Sequence, residues 1–253
     1  MIEINFEGKN VLVTGGASGA GVAIVKQFVK TGANIIFTYN RSENEANELV
    51  KQLVSNVKAY RLDQSITKDI PVVIDQIVKE NGKIDILVNN AGIYPAKDLF
   101  DITEEDFDDM LNTNTKSTFF LNRYVYQNMK EGGSIVNISS INATNPAGGL
   151  THYGTSKAAV EMLTKCLAME FGPKVRVNCI APGLIYKKGQ EQWIPGWTES
   201  YKERSPLHSL VYGEDIGNTA ITLSSDLARA ITGQIVTVDC GIMLTPCFDN
   251  SRH

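Results

Sequence analysis

Seven short runs of mostly β-branched and aliphatic residues alternate with longer stretches of helical periodicity, and this alternation restricts the fold more than any other feature of the chain. The runs are Asn10–Thr14, Asn34–Tyr39, Val57–Leu62, Ile84–Asn89, Ser134–Ser139, Val175–Ile180 and Gln234–Asp239. Several of them (VLVT, NIIFTY, IDILV, SIVNIS) are apolar without alternation, the pattern of strands covered on both faces of a parallel sheet. Helical patterns lie between them at Ala20–Lys30, Glu43–Val54, Lys68–Asn81, Glu104–Met129, His152–Phe171 and Glu214–Ser224. The order predicts an α/β fold, a Rossmann-type doubly wound, seven-stranded parallel sheet flanked by helices. At 253 residues and 43% hydrophobic content, one such domain spanning 1–253 accounts for the whole chain. Only the stretch 183–212 breaks the rhythm. It holds Pro195, Pro206, Trp193, Trp197 and Tyr201. It reads as a substrate-loop excursion with one short helix, too aromatic for a disordered segment.

A net charge of −4 offers no electrostatic basis for binding nucleic acid or an anionic membrane. No apolar run approaches the roughly 20 residues that span a bilayer. The opening MIEINFEGKNVLVTGG has neither the basic nor the apolar part of a secretory signal. Cys166, Cys179, Cys240 and Cys247 form no CxxC pair and do not read as a disulfide framework or metal site; three of the four lie in apolar stretches and read as small buried hydrophobes. A reducing, cytoplasmic setting is expected.

The segment Thr14-Gly15-Gly16-Ala17-Ser18-Gly19-Ala20-Gly21 follows the first strand and opens the first helix. Gly15 suits the tight strand-to-helix turn, Gly19 a close approach of backbone to a pyrophosphate, and Gly21 close packing of the helix on the sheet. Free N–H groups and the helix dipole then face an anion. The placement points to a dinucleotide. Further along, Tyr153-Gly154-Thr155-Ser156-Lys157 starts a helix. Residues four apart share a helical face, so the phenol and the ammonium address one locus. An ammonium about 5 Å away, at an effective dielectric of about 20, is worth roughly 3 kcal/mol and lowers a phenol's pKa by roughly two units. That brings it toward useful acid–base chemistry. The bland alternative is an amphipathic helix with a snorkelling lysine.

In this order the elements resemble the short-chain dehydrogenase/reductase family. They are TGGASGAG at 14–21, Asp63 after the third strand, NNAG at 89–92 and Asn114 in the fourth helical stretch, then Ser140, the YGTSK segment, and RVNCIAPG at 176–183. The resemblance runs from Thr14 to Gly241 and implies an NAD(P)(H)-dependent oxidoreductase that interconverts a carbonyl and a secondary alcohol. Tyr153 would be the general acid or base, and Ser140 would hydrogen-bond the substrate oxygen, with Ser139 second in rank and expected to face elsewhere. Lys157 would bind the nicotinamide ribose and depress the tyrosine pKa. Asn114 would hold a water linking Lys157 to solvent, or else tie down a neighbouring backbone group. Gly15, Ser18, Gly19, Ala20, Gly21, Asn90, Ala91, Gly92, Pro182, Gly183 and Ile185 would line the cofactor site. Asn90 would sit over the adenine ribose or stabilise the sheet. Asp63 would bond the adenine amino group or serve as a turn residue.

The tip of the second strand reads Tyr39-Asn40-Arg41-Ser42. It carries no carboxylate for a ribose 2′-hydroxyl, while Asn40, Arg41 and Ser42 can clasp a 2′-phosphate. NADP(H) is therefore favoured over NAD(H), and with it reduction, although Ser18 stands where relatives often place a second basic residue. Two positions depart from the family. Lys187 replaces a threonine four residues past Gly183, and Cys240 replaces a glycine, which fits only if no positive φ is needed there. The substrate would be a small carbonyl or alcohol, a carrier-bound acyl chain being one option and sugar, polyol and steroid alcohols others. Tyr94, 143–150, Tyr186, Trp193 and Trp197 are the expected pocket walls, Trp197 packing on its own helix being equally open. Lys187, Lys188 and Lys202 are the candidates for a basic mouth. His152 is expected to be structural. A homotetramer or homodimer is implied, with Val160, Leu163, Leu167 and Ala168 as core or interface. The rival reading is a non-catalytic NADP-binding regulatory or scaffold protein on the same fold.

Overall fold

The computed structural model describes residues 4–53, 56–187, 189 and 195–244; Val54, Lys188, Trp193 and Cys247 lie outside them. Among the described residues the strands are β1 Asn10–Val13, β2 Asn34–Tyr39, β3 Val57–Arg61, β4 Ile84–Asn89, β5 Met129–Ile138, β6 Val175–Pro182 and β7 Ile235–Val238. They form one sheet in the order β3-β2-β1-β4-β5-β6-β7, every pair parallel. The helices are α1 Ala20–Val29, α2 Glu43–Gln52, α3 Asp69–Asn81, α4 Glu104–Leu111, α5 Ser117–Gln127, α6 Thr151–Phe171, α7 Trp197–Arg204 and α8 Gly213–Ser224.

Successive side chains of a strand point to opposite faces, and the core divides accordingly. Val11 and Val13 join Ile35, Phe37, Ile86 and Val88 under α1, α2 and α8. Leu12, one residue between, joins Ile36, Leu87 and Ile135 under α3, α5 and α6. Each such aliphatic side chain, fully buried, contributes roughly 1.5–3 kcal/mol. This double cover explains why the strands read as unbroken apolar runs. Val160, Leu167 and Ala168 of α6 are buried, while Met162, Cys166 and Met169 are exposed. The expectation of buried cysteines therefore holds for Cys179 and fails for Cys166, which faces outward from the helix.

Two boundaries depart from the sequence pattern. The stretch Glu104–Met129 is not one α-helix: α4 and α5 are separated by a π-turn at Asn112–Lys116, and α5 ends at Gln127. The turn admits an extra residue and carries Asn114 inward, where it is buried. Strand β5 begins at Met129, which pairs with Ile84 before the register shifts and Ser134 meets Ile86. The polar stretch Lys130–Gly133 conceals that start in the sequence.

The strand order reverses between β1 and β4, and such a reversal opens a crevice beyond the carboxyl ends of the strands. Downstream of β6, Ile185 bridges to Val211 and α7 packs back on the sheet end, where the Tyr201 hydroxyl donates to the Asp239 carbonyl at 2.7 Å. Trp197 is buried against Tyr186 and Tyr201, so it belongs to the core under this segment rather than to an open pocket wall. Cys240 has φ of +57°, contrary to the expected absence of a positive φ. The Asp239 carboxylate accepts from the backbone N–H groups of Gly241 and Met243 at 2.8 and 2.9 Å, and these bonds hold the left-handed turn despite its Cβ.

Candidate active site

The glycine turn is built by tight contacts on one side and openness on the other. A Cβ on Gly15, whose φ is +65°, would lie 2.9 Å from the Ala91 Cβ, and one on Gly16 would lie 2.5 Å from Phe37. A Cβ on Gly21 would lie 2.0 Å from the Gly15 carbonyl oxygen, so Gly21 admits the folded-back turn itself, a closer neighbour than the sheet. A Cβ on Gly19, whose φ is +54°, would have among the described residues no neighbour closer than the Lys187 side chain at 3.9 Å. Helix α1 then begins at Ala20 with no side-chain cap, and Ser18 is exposed, its carbonyl accepting the Gly21 N–H. Open backbone before an uncapped helix start is what a pyrophosphate requires. Thr14 was not singled out in the sequence. Its hydroxyl accepts the N–H groups of Asn90 and Ala91, both at 3.1 Å, and locks β4's tip to the turn. A threonine closing the first strand ahead of the glycines was the available signal, as the second of the paired glycines was for Gly16.

Asn90 donates its amide to the carbonyls of Thr14 and Gly15 at 3.0 and 3.2 Å, the stabilising role of the two expected. Asp63 is likewise a turn residue, accepting from the Ser65 N–H and hydroxyl at 3.1 and 2.6 Å. Burial raises its pKa, but bonds from Ser65 and Asn40 and the charge of Arg41 outweigh this and hold it below the ordinary carboxylate value. The tips of β2 and β3 thus carry Asn40, Arg41 and Asp63 as one cluster, with Ser42 at the α2 N-terminus.

Asn114 grips the segment after β4. Its side-chain oxygen accepts the Ile93 N–H at 2.8 Å, and its amide donates to the Ile93 carbonyl and the Ser156 hydroxyl at 2.9 and 3.0 Å. Gly92 passes between Asn114 and Lys157: a Cβ there would lie 3.0 Å from the one and 3.4 Å from the other. Pro182 ends β6, and Gly183 follows with no room for a Cβ beside the Tyr201 hydroxyl.

Ser140, Tyr153 and Lys157 meet at the start of α6. The Ser140 hydroxyl donates to the Asn142 side-chain oxygen at 3.4 Å and accepts the Asn142 N–H at 3.1 Å, and it stands near enough to the Tyr153 phenol to lower its pKa. Ser139 faces elsewhere, as expected, donating to the Lys157 carbonyl and to Glu161 at 3.2 and 3.1 Å. His152 is buried, its ring nitrogens without a hydrogen-bond partner among the described residues. The Lys157 ammonium donates to the Ile138 carbonyl at 2.9 Å and lies 5.8 Å from the Tyr153 ring centroid. The expected lowering of the tyrosine pKa is not found. Burial raises it, more than Ser140 lowers it, and Tyr94 raises it further. Burial also brings the Lys157 ammonium down from 10.5 to about 8.

That depression has a consequence for stability. Between pH 8 and 10.5 the folded protein holds Lys157 neutral while the unfolded chain still binds the proton. Stability therefore rises with pH across that window, by roughly 3 kcal/mol at most for this group. Urea unfolding of the nucleotide-free wild type and of Lys157→Met between pH 7 and 10.5 is expected to show the wild type gaining on the variant as pH rises. A difference that stays constant would mean that the folded protein keeps the ammonium charged throughout.

At the mouth, the Tyr94 ring meets the Tyr153 ring edge-on at 6.2 Å. Lys187 donates to the Tyr94 hydroxyl at 2.6 Å. Tyr186 lines a cavity of about 250 Å³ with Gly19, Ala20, Ile185 and Lys187. The structure thus brings every expected residue of the proton-transfer set to one end of the crevice, with the cradle and the Asn40–Ser42 tip along its other side.

A family model described as Enoyl-(Acyl carrier protein) reductase matches residues 15–243. The 3-oxoacyl-[acyl-carrier-protein] reductase FabG of Thermotoga maritima is 36% identical, the match covering 95% of this chain and 100% of that protein. A short-chain dehydrogenase/reductase, SDR:Glucose/ribitol dehydrogenase, from Brucella melitensis superposes with a TM-score of 0.91 at 28% identity, covering 96% of this chain and 100% of the other. A blue fluorescent protein from a metagenomic library, solved in complex with NADPH, superposes with a TM-score of 0.89 at 30% identity, covering 95% and 100%.

Proposed function

This chain belongs to the short-chain dehydrogenase/reductase family, and on that premise we propose that it is an NADP(H)-dependent enzyme reducing a carbonyl to a secondary alcohol. The observation that carries the reading is the convergence of Ser140, the Tyr153 phenol and the Lys157 ammonium, the last 5.8 Å from the Tyr153 ring centroid, at the end of a crevice whose other side is an open glycine cradle. When bound, a reduced nicotinamide supplies the hydride. Tyr153 donates the proton that neutralises the oxygen of the new alcohol. Ser140 donates a hydrogen bond to the same oxygen as charge develops. Lys157, which here donates to the Ile138 carbonyl, would bind the nicotinamide ribose, and its positive charge opposes the rise that burial imposes on the phenol. Asn114 fixes the backbone beside Lys157 and, as the family resemblance implies, places the water that leads the proton to solvent.

Gly15, Ser18, Gly19, Ala20 and Gly21, with Asn90, Ala91 and Gly92 and with Pro182, Gly183 and Ile185, would hold the dinucleotide, and Asp63 would lie at its adenine end. NADP(H) over NAD(H) rests on Arg41 with Asn40 and Ser42, and the relative solved with NADPH supports it. Replacing Arg41 by alanine is expected to weaken NADPH binding by about 10- to 100-fold, the worth of a charge-assisted phosphate contact, and to leave NADH unchanged. Titration of both nucleotides measures this; equal losses for both would place Arg41 away from a 2′-phosphate. Turnover with each nucleotide against ketones, oxoacyl thioesters and sugars tests the activity itself. The substrate is a small carbonyl compound, a carrier-bound acyl chain being the option that the relative from Thermotoga supports. One domain acts in a homotetramer or homodimer, which the exposed Phe119 of α5 and Met162 and Met169 of α6 support. A cytoplasmic location fits the cysteine usage; among the described residues no helix is long and apolar enough to cross a membrane.

A further inference from the structure

We infer that Lys187 is a cofactor-clamping residue whose ammonium closes over the glycine turn and binds the pyrophosphate of the dinucleotide. The inference rests on the cofactor reading above and adds a residue that the family pattern does not supply, since a threonine is usual at this position. Its backbone is anchored immediately upstream: Ile185 bridges to Val211, and the Tyr186 N–H donates to the Val211 carbonyl at 2.7 Å. The side chain then crosses the crevice between two landmarks. On one side its ammonium donates to the Tyr94 hydroxyl at 2.6 Å and lies 5.1 Å from that ring's centroid. On the other, its last carbon and its nitrogen both stand 3.9 Å from where a Gly19 Cβ would be.

Gly19 is the open position of the cradle, directly before the uncapped start of α1. The N-terminus of a helix carries roughly half a positive charge. An ammonium poised over it places two positive poles across one small space, an arrangement that an anion between them turns from repulsive to attractive. Among the described residues the cavity beneath is lined by Lys26 and Lys187 against a single carboxylate, Glu214, so its walls favour negative charge. An ammonium has three donors, which makes the Tyr94 bond compatible with a phosphate oxygen as a further partner. Tyr94 in turn leans on Tyr153. Lys187 therefore connects the phosphate end of the crevice to its proton-transfer end, and Tyr94 holds the clamp in position.

The test is NADPH affinity without substrate, by nicotinamide fluorescence, for the wild type, Lys187→Met and Lys187→Arg, with adenosine 2′-monophosphate as a probe lacking the pyrophosphate. Lys187→Met is expected to weaken NADPH binding by about 10- to 100-fold and to flatten its salt dependence, as loss of a charged hydrogen bond does. Lys187→Arg should recover most of the affinity, and adenosine 2′-monophosphate should bind all three proteins alike. NADPH affinity within twofold of wild type in Lys187→Met overturns the proposal, including the case in which only the KM of an anionic substrate rises. Equal weakening of the 2′-monophosphate also overturns it, since the change would then be structural. Failure of the wild type to bind either nicotinamide nucleotide would instead overturn the cofactor reading, and the clamp with it.

Discussion

Replacing Tyr153 by phenylalanine is expected to lower kcat/KM by about 10²- to 10⁴-fold while leaving NADPH affinity within about twofold of wild type. The magnitude is that of removing a positioned general acid, roughly 3–5 kcal/mol of barrier. The substitution is conservative where it needs to be. Phenylalanine keeps the ring that meets Tyr94 edge-on and the packing at the start of α6, and only the hydroxyl beside Ser140 is lost. The cradle, the β2 tip and Lys157 are untouched, so binding measures whether the site is still assembled. Steady-state rates and nucleotide titration on the same preparation check both halves. Full turnover in the variant would remove Tyr153 from the chemistry. An inactive wild type that binds NADPH as tightly as the variant would favour a regulatory or scaffold protein on this fold.

Gly21→Ala is expected to cost more than about 4 kcal/mol of stability or to abolish nucleotide binding outright. The added methyl would stand 2.0 Å from the Gly15 carbonyl oxygen and 2.8 Å from the Asn90 amide nitrogen. A backbone atom offers no rotamer by which to escape, so the turn must open and break the Asn90 bonds that hold it. Gly19→Ala is the contrasting case. Among the described residues nothing lies closer than 3.9 Å to its would-be methyl, and the cost is that of the strained backbone at φ +54° and ψ −135°, about 1–3 kcal/mol. That variant should fold, with its methyl projecting where the phosphates are to lie. Denaturant midpoints and NADPH titrations separate the two. Wild-type stability and binding in Gly21→Ala would refute the tight-turn account.

The alternation of apolar runs and helical stretches fixed the α/β class because the inner strands β1, β2 and β4 are buried on both faces and are apolar nearly throughout, while the edge strands β3 and β7 are only partly covered. The glycine spacing and the four-residue separation of Tyr153 and Lys157 were legible for a similar reason, since both are local geometry written in adjacent residues. Asn114 was legible as a position but not as a shape. The π-turn that buries it depends on Ile93 and Ser156, far along the chain. Cys240 misled for a different reason, its positive φ being held by local bonds to the neighbouring Asp239 carboxylate and not by its own preference.

By itself the sequence determined the order of strands and helices, the glycine turn between β1 and α1 and the four-residue spacing of Tyr153 and Lys157. Only the tertiary structure decided the electrostatic state of those groups. One helical turn set the phenol and the ammonium on the same face, yet burial raised the one and lowered the other. It also decided that Lys187 reaches both Tyr94 and the glycine turn. The reason is physical: spacing along a helix is set by local backbone geometry, whereas desolvation and cross-cleft contacts are set by what distant segments bring alongside.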